Sequence, residues 1–499
     1  MKGKVLSLRQ AAPFLLLMML VALPACTSKT LRSGQEALRQ GRLKSAEKKL
    51  EAYAKKNKDT KNTVIAYLEA GHIRRLREKY KPSNEAFAHA EDRIELMDKQ
   101  AEFRVSKEGA AALTNLNALP YRARNYDRIM MSSYRALNYL QMHEVDAARV
   151  ELQKVYEWQK LAVQRNAERI EEAKQAAKDA KEKQQEKGEE SYDVERARNN
   201  EKFQKSLDKK YGHLDQFEPY SKYVNPFAEW LRGIYYLGLP ADQADIGTGK
   251  TAMERAYGME GDNPYLKQDL QLAENRKGGA KFPDLTYVVF CTGDAPDRGQ
   301  IRIDIPLFLV NDSVDYVGVN FPRLIENENY VETLNVHAAG ESYETAVLAD
   351  IDSMIAHEFK KNLPVIITKT LIGAGTKAAI AYGLNKATES NAVANIVTRV
   401  ATTAYQVGMN QADLRAWTTL PKQIQYARLK TPESGQLTLT TPSGPSTTVS
   451  VEPGQANVVM VKSYAPGKPL DTSQFVLEHH IDEKSPASDK PATARAAGN

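Results

Sequence analysis

The sequence has 499 residues, too many for one hydrophobic core, so two or more domains are expected. Hydrophobic residues make up 42% and charged residues 26%, fractions typical of globular domains rather than of a disordered chain. The net charge is only +6, with basic and acidic residues mixed along the chain, which argues against a nucleic-acid partner. The two cysteines, Cys26 and Cys291, exclude a disulfide framework and a metal site built on cysteine.

The first 25 residues have the pattern of a secretory signal peptide. Residues 1–10 are short and basic, and the apolar run over 11–23 has 13 residues. Because a membrane-spanning helix needs roughly 20 apolar residues, this run predicts a cleaved leader rather than a permanent span.

The residues that end this run, Leu23-Pro24-Ala25-Cys26, resemble the lipobox of bacterial lipoproteins, with Pro24 a less common occupant. The resemblance implies cleavage before Cys26 and acylation of its sulfur. Each buried methylene of the acyl chains contributes about 0.8 kcal/mol to membrane binding. Thr27, where an aspartate would favour the inner membrane, implies the outer membrane and a periplasm-facing protein. The alternative is a secreted protein or an uncleaved anchor in which Cys26 is incidental.

Residues 30–275 are dominated by helix formers, and small and large residues recur in them as in tetratricopeptide-like repeats. The clearest copy lies over 67–90. Its members at helical spacing are Tyr67, Ala70, Gly71, Arg74, Ser83, Phe87 and Ala90. Small residues are expected to let the two helices approach closely, with Tyr67 and Phe87 in the groove between them. Tyr67, Arg74 and Phe87 are therefore the candidate protein-binding residues, on a concave face expected to be open.

Weaker copies lie on either side of this one, around Ala46 and Ala148. Ala46 and Ser83 are 37 residues apart, near the repeat length of about 34. Ser83 and Ala148 are 65 residues apart, so an irregular helix pair is expected between them. A helical bundle with coincidental small residues is the alternative.

Opposite charges recur three and four residues apart over 168–187 and again over 193–209, with Gly188 and Ser191 between them. This pattern predicts a charged helical hairpin, or a partly disordered arm, exposed to solvent over 161–215. Order is expected to return at Asn225-Pro226, because asparagine caps helices and proline suits their first turn. A further helix is predicted around 251–257.

The apolar period changes from 3.6 to 2 near residue 280, which predicts strands. The predicted strands cover 285–291, 300–306, 315–321, 423–429, 436–441, 447–451 and 457–463. A helix is predicted over 346–361, ended by Pro364 and followed by a close-packed buried helix over 365–384. Another helix is predicted over 391–410, and the tail after 481 is predicted to be disordered.

The predicted fold is mainly α and α+β overall: tetratricopeptide-like helical repeats with a charged helical hairpin, followed by a C-terminal α+β domain. The predicted domains are a signal peptide (1–25), helical repeats (26–160), the charged arm (161–215), a helical continuation (216–278), an α+β domain (279–481) and a tail (482–499).

Three local patterns resemble catalytic or ligand motifs. Residues 247–251 resemble part of a phosphate-binding loop, but Ala244 replaces the first glycine and a helix precedes it, so a capped helix start is favoured. His357-Glu358 resembles a zinc-protease motif in which Lys361 replaces the second histidine. The histidine pair 479–480 is expected to be exposed. Asp294 and Asp297, beside Arg298, could act in acid–base chemistry or bind a cation, although a turn is favoured.

Three stretches, 134–155, 223–236 and 412–417 with Leu420-Pro421, resemble an uncharacterised family of bacterial cell-envelope lipoproteins with tetratricopeptide-like repeats. The resemblance implies a cell-envelope role and assigns no activity. The predicted function is a protein-interaction scaffold at the outer membrane. Its predicted partners are the bilayer, through acylated Cys26, and an envelope protein, with no nucleic acid, metal or cofactor. The alternatives are an envelope enzyme acting on peptidoglycan or polysaccharide near 294–298, and a pilotin-like accessory of secretion or export.

Overall fold

The computed structural model describes residues 26–104, 119–186, 192–217, 224–307, 315–388, 412–444 and 446–477. The predicted signal peptide, the helix over 391–410, the tail after 481 and the histidine pair 479–480 lie outside these residues. The predicted turn at Gly188 and Ser191 also lies outside them. The backbone of Cys26 begins the first helix.

Consecutive helical hairpins build the first half of the described chain. Its helices are α1 (Cys26–Arg39), α2 (Leu43–Lys56), α3 (Thr63–Leu76), α4 (Tyr80–Arg104), α5 (Asn125–Gln141), α6 (Val145–Glu186), α7 (Val194–Arg198), α8 (Glu201–Tyr211), α9 (Pro226–Gly238), α10 (Gln243–Met259) and α11 (Pro264–Lys277). Helices α1 to α6, here called the helical array, pack as three successive pairs. The predicted class, helical repeats followed by an α+β region, is confirmed.

Each of the first two pairs has a glycine at its closest approach. A Cβ atom added to Gly34 would lie 2.7 Å from Leu50, and one added to Gly71 would lie 2.5 Å from Phe87. Both large side chains follow their glycine by sixteen residues, and the same spacing separates the buried residues Ala136 and Leu152 in the third pair. The recurring small residue therefore lets the second helix of each pair lie close to the first.

The irregular helix pair expected between Ser83 and Ala148 is absent from the described residues there. Helix α4 extends to Arg104, and 119–124, which precede α5, have no helical structure. Helix α4 has 25 residues against 14 in α3, so its length accounts for part of the excess spacing.

The predicted solvent-exposed arm is corrected. After α6, the chain returns as two short helices, α7 and α8, and a 3₁₀ turn (Gly212–Gln216). Their apolar side chains form a second core with the hairpin of strands β2 (Asp297–Leu307) and β3 (Asp315–Ile325) and with helix α12 (Ile351–Thr388). The members from this return are Tyr192, Val194, Ala197, Phe203, Leu207, Tyr211 and Leu214. These apolar residues lie at helical spacing, but many charged residues stand between them. For this reason the composition of the segment indicated a helix face exposed to solvent.

The second half contains two sheets, a hairpin and a long helix. The strands are β1 (Leu285–Thr292), β2 (Asp297–Leu307), β3 (Asp315–Ile325), β4 (Asn335–Ala338), β5 (Glu341–Glu344), β6 (Ala346–Asp350), β7 (Gln423–Lys430), β8 (Gln436–Thr440), β9 (Thr447–Ser450), β10 (Asn457–Ser463) and β11 (Asp471–Val476). The five-stranded sheet has the order β11-β10-β1-β7-β6, with β1 and β10 parallel and Val288 opposite Val459. Strands β2 and β3 form an antiparallel hairpin, and a four-stranded sheet has the order β5-β4-β8-β9.

Two predictions around Pro364 are wrong. Residues 346–350 form strand β6 instead of a helix start, and helix α12 (Ile351–Thr388) continues through Pro364. Proline removes one hydrogen bond from a helix and costs about 3 kcal/mol in its interior. Here Phe359 before it and Leu371 after it are both buried in the second core, so packing on both sides holds the helix together.

The first core joins the helices to the five-stranded sheet. Trp230 of α9 lies edge-on to Tyr287 and also contacts Tyr426, on two neighbouring strands. Asp269 of α11 accepts hydrogen bonds from Trp230 Nε1 (3.1 Å) and from the hydroxyls of Tyr287 (3.2 Å) and Tyr426 (2.9 Å). Helices α9 and α11 therefore pack on the chain's own sheet. No described helix combines the length and the apolar character that a membrane span requires.

Candidate functional site

The inner face of α3, α4 and α5 is occupied by residues 412–421, here called the docked segment, which has no helix or strand. Its central side chain, Trp417, is 1% exposed. The Trp417 ring lies 6.0 Å from the rings of His72, Phe87 and Tyr134, measured between centroids. The groove of the helical array therefore holds an irregular peptide, and that peptide belongs to the same chain.

Arg415 fixes the start of the docked segment. Its Nη1 donates to Asn62 Oδ1 at 3.0 Å, just before α3, and its Nη2 donates to the carbonyl oxygen of Leu119 at 3.0 Å. Its Nε also donates to Asp413 at 2.7 Å, so the guanidinium charge has a carboxylate partner inside the segment. One side chain thereby ties three parts of the chain together.

Thr419 fixes the other end through a buried polar network. Its hydroxyl donates to Glu69 Oε2 at 2.6 Å and lies 3.0 Å from His72 Nδ1 and 3.1 Å from Trp417 Nε1. Gln35 Nε2 donates to the other Glu69 oxygen at 2.7 Å. Since the threonine proton points to Glu69, its oxygen accepts from the indole and from His72, which assigns the Nδ1-protonated tautomer to that histidine.

Burial sets the ionisation of this network. It raises the pKa of Glu69 to about 7, although the hydrogen bonds from Thr419 and Gln35 oppose the shift. Burial also lowers the pKa of His72 well below its ordinary value, with Lys462 and Arg75 adding to the effect. A neutral His72 that donates to Thr419 does not take the hydroxyl proton, so the network orients the docked segment and does not activate a nucleophile.

The three candidate protein-binding residues have different positions. Phe87 is 0% exposed and packs under Gly71, so its prediction as a contact residue for a separate partner is corrected. Arg74 donates to Glu51 at 3.2 Å and to the carbonyl of Pro82 at 3.0 Å, holding neighbouring helices together. Tyr67 is half-buried, its ring 4.1 Å from that of His89, and reaches the surface. The expectation of an open concave face is wrong because Trp417 packs against side chains of α3, α4 and α5 there.

Asp294 and Asp297 join α1 to the start of β2. Asp294 is 1% exposed, and its carboxylate lies 3.7 Å from Arg39 Nε and 3.7 Å from Lys462 Nζ. Asp297 accepts from Arg39 Nη2 at 2.9 Å. Burial raises the pKa of Asp294, against the opposing effects of Lys462 and Arg39. Both carboxylates are thus in ion pairs, whereas Arg298 lies over the ring of Phe359, 5.3 Å from its centroid.

The two remaining motifs lie within helices and contribute to the fold. Residues 247–251 lie inside α10, which begins at Gln243 with Asp242 accepting from the backbone of Asp245 at 3.1 Å, so the predicted helix start there is wrong. Glu358 accepts from the backbone N–H groups of Asn125 (2.9 Å) and Tyr126 (3.2 Å) at the start of α5. Across the described part of the chain, no group of three or more histidine, cysteine, aspartate or glutamate side chains is arranged to hold a metal ion.

The fold and the occupied groove define a helical-repeat protein whose array packs on an α+β region of the same chain. No protein-family profile matches this chain, and no curated protein sequence matches it. A solved tetratricopeptide repeat protein from Parabacteroides merdae aligns with it at 16% identity and a TM-score of 0.13. The alignment covers 50% of this chain and 99% of that one.

Proposed function

We propose that this protein is a lipid-anchored interaction scaffold of the bacterial cell envelope, facing the periplasm from the outer membrane. The observation that supports a scaffold is the docked segment. The array binds an irregular peptide through one buried tryptophan, an arginine clamp and hydrogen bonds that its own side chains accept. Buried aromatic and arginine anchors of this kind dominate peptide and protein recognition. The docked segment of the same chain occupies the groove, so a separate partner contacts the remaining surface, near Tyr67.

The position of α1 supports a short, stiff tether. This helix has 14 residues from Cys26 to Arg39, a length of about 20 Å at 1.5 Å per residue. It is held to the rest of the protein at Gln35, which bonds to Glu69, and at Arg39, which bonds to Asp297. An acylated Cys26 would therefore keep the helical array close to the bilayer surface.

The anchor is tested by replacing the acceptor sulfur. Intact-mass spectrometry of the protein expressed from its full gene is expected to show loss of 1–25 and addition of acyl chains at Cys26. Cys26→Ser is expected to abolish acylation and release the protein from membranes, while Cys291→Ser, a control at the other cysteine, remains acylated. An unmodified thiol at Cys26, or a retained leader, would contradict the anchor and leave the scaffold proposal standing.

The scaffold is tested by photo-crosslinking in intact cells. A photoreactive residue replaces Tyr67 on the array, and a matched variant carries it at Tyr257, a half-buried tyrosine on α10. One defined envelope protein is expected to crosslink at position 67 and not at 257, and a reciprocal crosslink from that protein should recover this chain. Crosslinks that are equal at both positions, or absent from 67, would contradict the scaffold.

A further inference from the structure

A cavity of about 320 Å³ lies outside the groove, where α4, α6, α12 and the β2–β3 hairpin meet. Its wall contains six basic and three acidic residues. The basic residues are Arg93, Arg122, Arg124, Arg169, Arg298 and Lys369. They come from five separate parts of the chain, so folding concentrates positive charge at this one place.

The acidic residues nearby already have partners. Asp413 accepts two hydrogen bonds from Arg415, which is outside the cavity wall, at 2.7 and 2.8 Å. Glu172 pairs with Arg122 at 2.9 Å, and Asp179 is a half-buried residue that accepts from Gln175 at 2.8 Å. The wall therefore keeps more basic than acidic side chains, and Glu358, which is outside the wall, lies 3.9 Å from Arg169.

Two guanidinium groups in the wall have buried donors without acceptors. Arg298 is 6% exposed, and its Nε makes no hydrogen bond; the same is true of the buried Nε of Arg124. Burial lowers the pKa of Arg298, and the charge of Arg124 lowers it further. A buried donor or charge without a partner is unfavourable, so an acceptor that enters the cavity gains from both groups.

The cavity also has a pre-positioned arginine, an apolar wall and a volume suited to a small ligand. Arg169 is positioned by a hydrogen bond from its Nη2 to the carbonyl of Ala123 at 2.8 Å, so it does not have to be ordered by a ligand. Apolar side chains, among them Met97, Val365 and Ile366, form the rest of the wall. Its volume is at the lower end of the range of small-molecule sites, about 300–1,000 Å³.

We propose that this cavity binds an oxyanion group, a phosphate or a carboxylate, on a small ligand that also has an apolar part. Guanidinium groups recognise both oxyanions through paired N–H donors, which match the two oxygens of a carboxylate or a phosphate. Arg298 and Arg124 supply donors from the buried end, Arg169 from α6, and the apolar wall contacts the rest of the ligand. This site is independent of the lipid anchor and of the partner surface at Tyr67.

The test uses the whole mature protein, with sodium phosphate and sodium succinate as probes and sodium chloride at equal ionic strength as reference. Binding is measured by calorimetry and by the shift in melting temperature. The test variant is Arg298→Met, and the matched control is Arg302→Met, an arginine on the same strand whose side chain is 74% exposed. We expect saturable binding to the native protein and to the control, and binding at least about tenfold weaker to Arg298→Met.

The outcomes separate the sources of the oxyanion. Binding of phosphate alone supports a phosphate ester, binding of succinate alone supports a carboxylate, and binding of both supports the shared chemistry. If Arg298→Met loses the native circular dichroism spectrum, the test uses Arg93→Met instead, a substitution at a half-buried residue of the cavity wall. Binding of the probes to Arg93→Met is then expected to weaken by the same factor. Neither probe exceeding chloride, or every folded cavity variant binding as Arg302→Met does, would overturn the proposal.

Discussion

Replacing Gly71 with alanine tests the close approach of α3 and α4. The added Cβ would lie 2.5 and 2.6 Å from two ring atoms of Phe87, where ordinary contacts are 3.4–4 Å. The ring cannot move aside easily because Trp417 and Tyr134 pack against it. Any shift of α4 also strains the bond from Ser83 Oγ to the carbonyl of Gly71, 2.7 Å long.

The expected effect is a loss of stability. Overpacking of a buried contact costs about 1–3 kcal/mol, and alanine recovers about 0.5–1 kcal/mol because it favours a helix more than glycine does. We therefore expect Gly71→Ala to lower the free energy of unfolding by about 1 kcal/mol, and by no more than about 2.5 kcal/mol, the balance of these two effects.

Gly247→Ala is the matched control. Gly247 also lies inside a helix, and no atom is within 4 Å of the position its Cβ would take. Only the helix preference remains, so this variant is expected to be about 0.5–1 kcal/mol more stable than the native protein. The same chemical change thus has opposite signs at two helical glycines.

The assay is urea unfolding followed by circular dichroism and by tryptophan fluorescence, which together show whether all helices unfold in one transition. Adding Phe87→Leu to Gly71→Ala should recover part of the loss, since the smaller side chain makes room for the methyl group. A Gly71→Ala protein as stable as Gly247→Ala would refute the close approach of the two helices.

Three further predictions concern the docked segment, the buried Glu69 that contacts it and the start of α9. Trp417→Ala should lower the free energy of unfolding by about 3–5 kcal/mol, as expected for a buried aromatic side chain, and expose the docked segment to limited proteolysis; an unchanged cleavage pattern would contradict its place in the groove. The raised pKa of Glu69, about 7 against an ordinary 4.5, means that the folded protein holds this proton more tightly than the unfolded chain, so stability should fall as pH rises between these values. Glu69→Gln should flatten that fall in urea titrations at several pH values, and an unaltered slope would count against the shift. Asn225→Ala removes the side-chain acceptor for Ala228 N–H and should cost about 1 kcal/mol by the same urea assay, with no change expected if α9 does not depend on this cap.

Local signals predicted local structure well. Asn225 and Pro226 start α9 where the capping pattern placed it, with the Asn225 side chain accepting from Ala228 N–H at 3.2 Å. Strand β10 has the predicted bounds, 457–463, because its apolar run is fully buried between two neighbours in the sheet. Gly71 and Phe87 meet as their small and large sizes suggested. In each case the determining residues lie within about one hairpin of each other.

Contacts between distant parts of the chain were not predictable from these patterns. Nothing local to Trp417 indicates that it fills a groove formed by His72, Phe87 and Tyr134, hundreds of residues earlier. For the same reason Asp294 looked like a turn residue, although folding buries it between Arg39 and Lys462. The short strands β4, β5 and β6, with four or five residues each, depend on partners for their structure and leave little periodicity to detect.

The basic cavity and the occupied groove share a wall, which links their energetics. Asp413 belongs to the docked segment and lines the cavity, and Leu119 lines the cavity while its carbonyl accepts from Arg415. Displacing the docked segment therefore removes part of the cavity. A ligand that binds only the complete cavity must stabilise the docked arrangement, and by thermodynamic reciprocity a firmly docked segment must strengthen ligand binding. Phosphate or succinate, whichever binds, should accordingly slow proteolysis within the docked segment of the native protein and not in Arg298→Met. An unchanged rate of proteolysis in the native protein with ligand bound would show that groove and cavity are uncoupled.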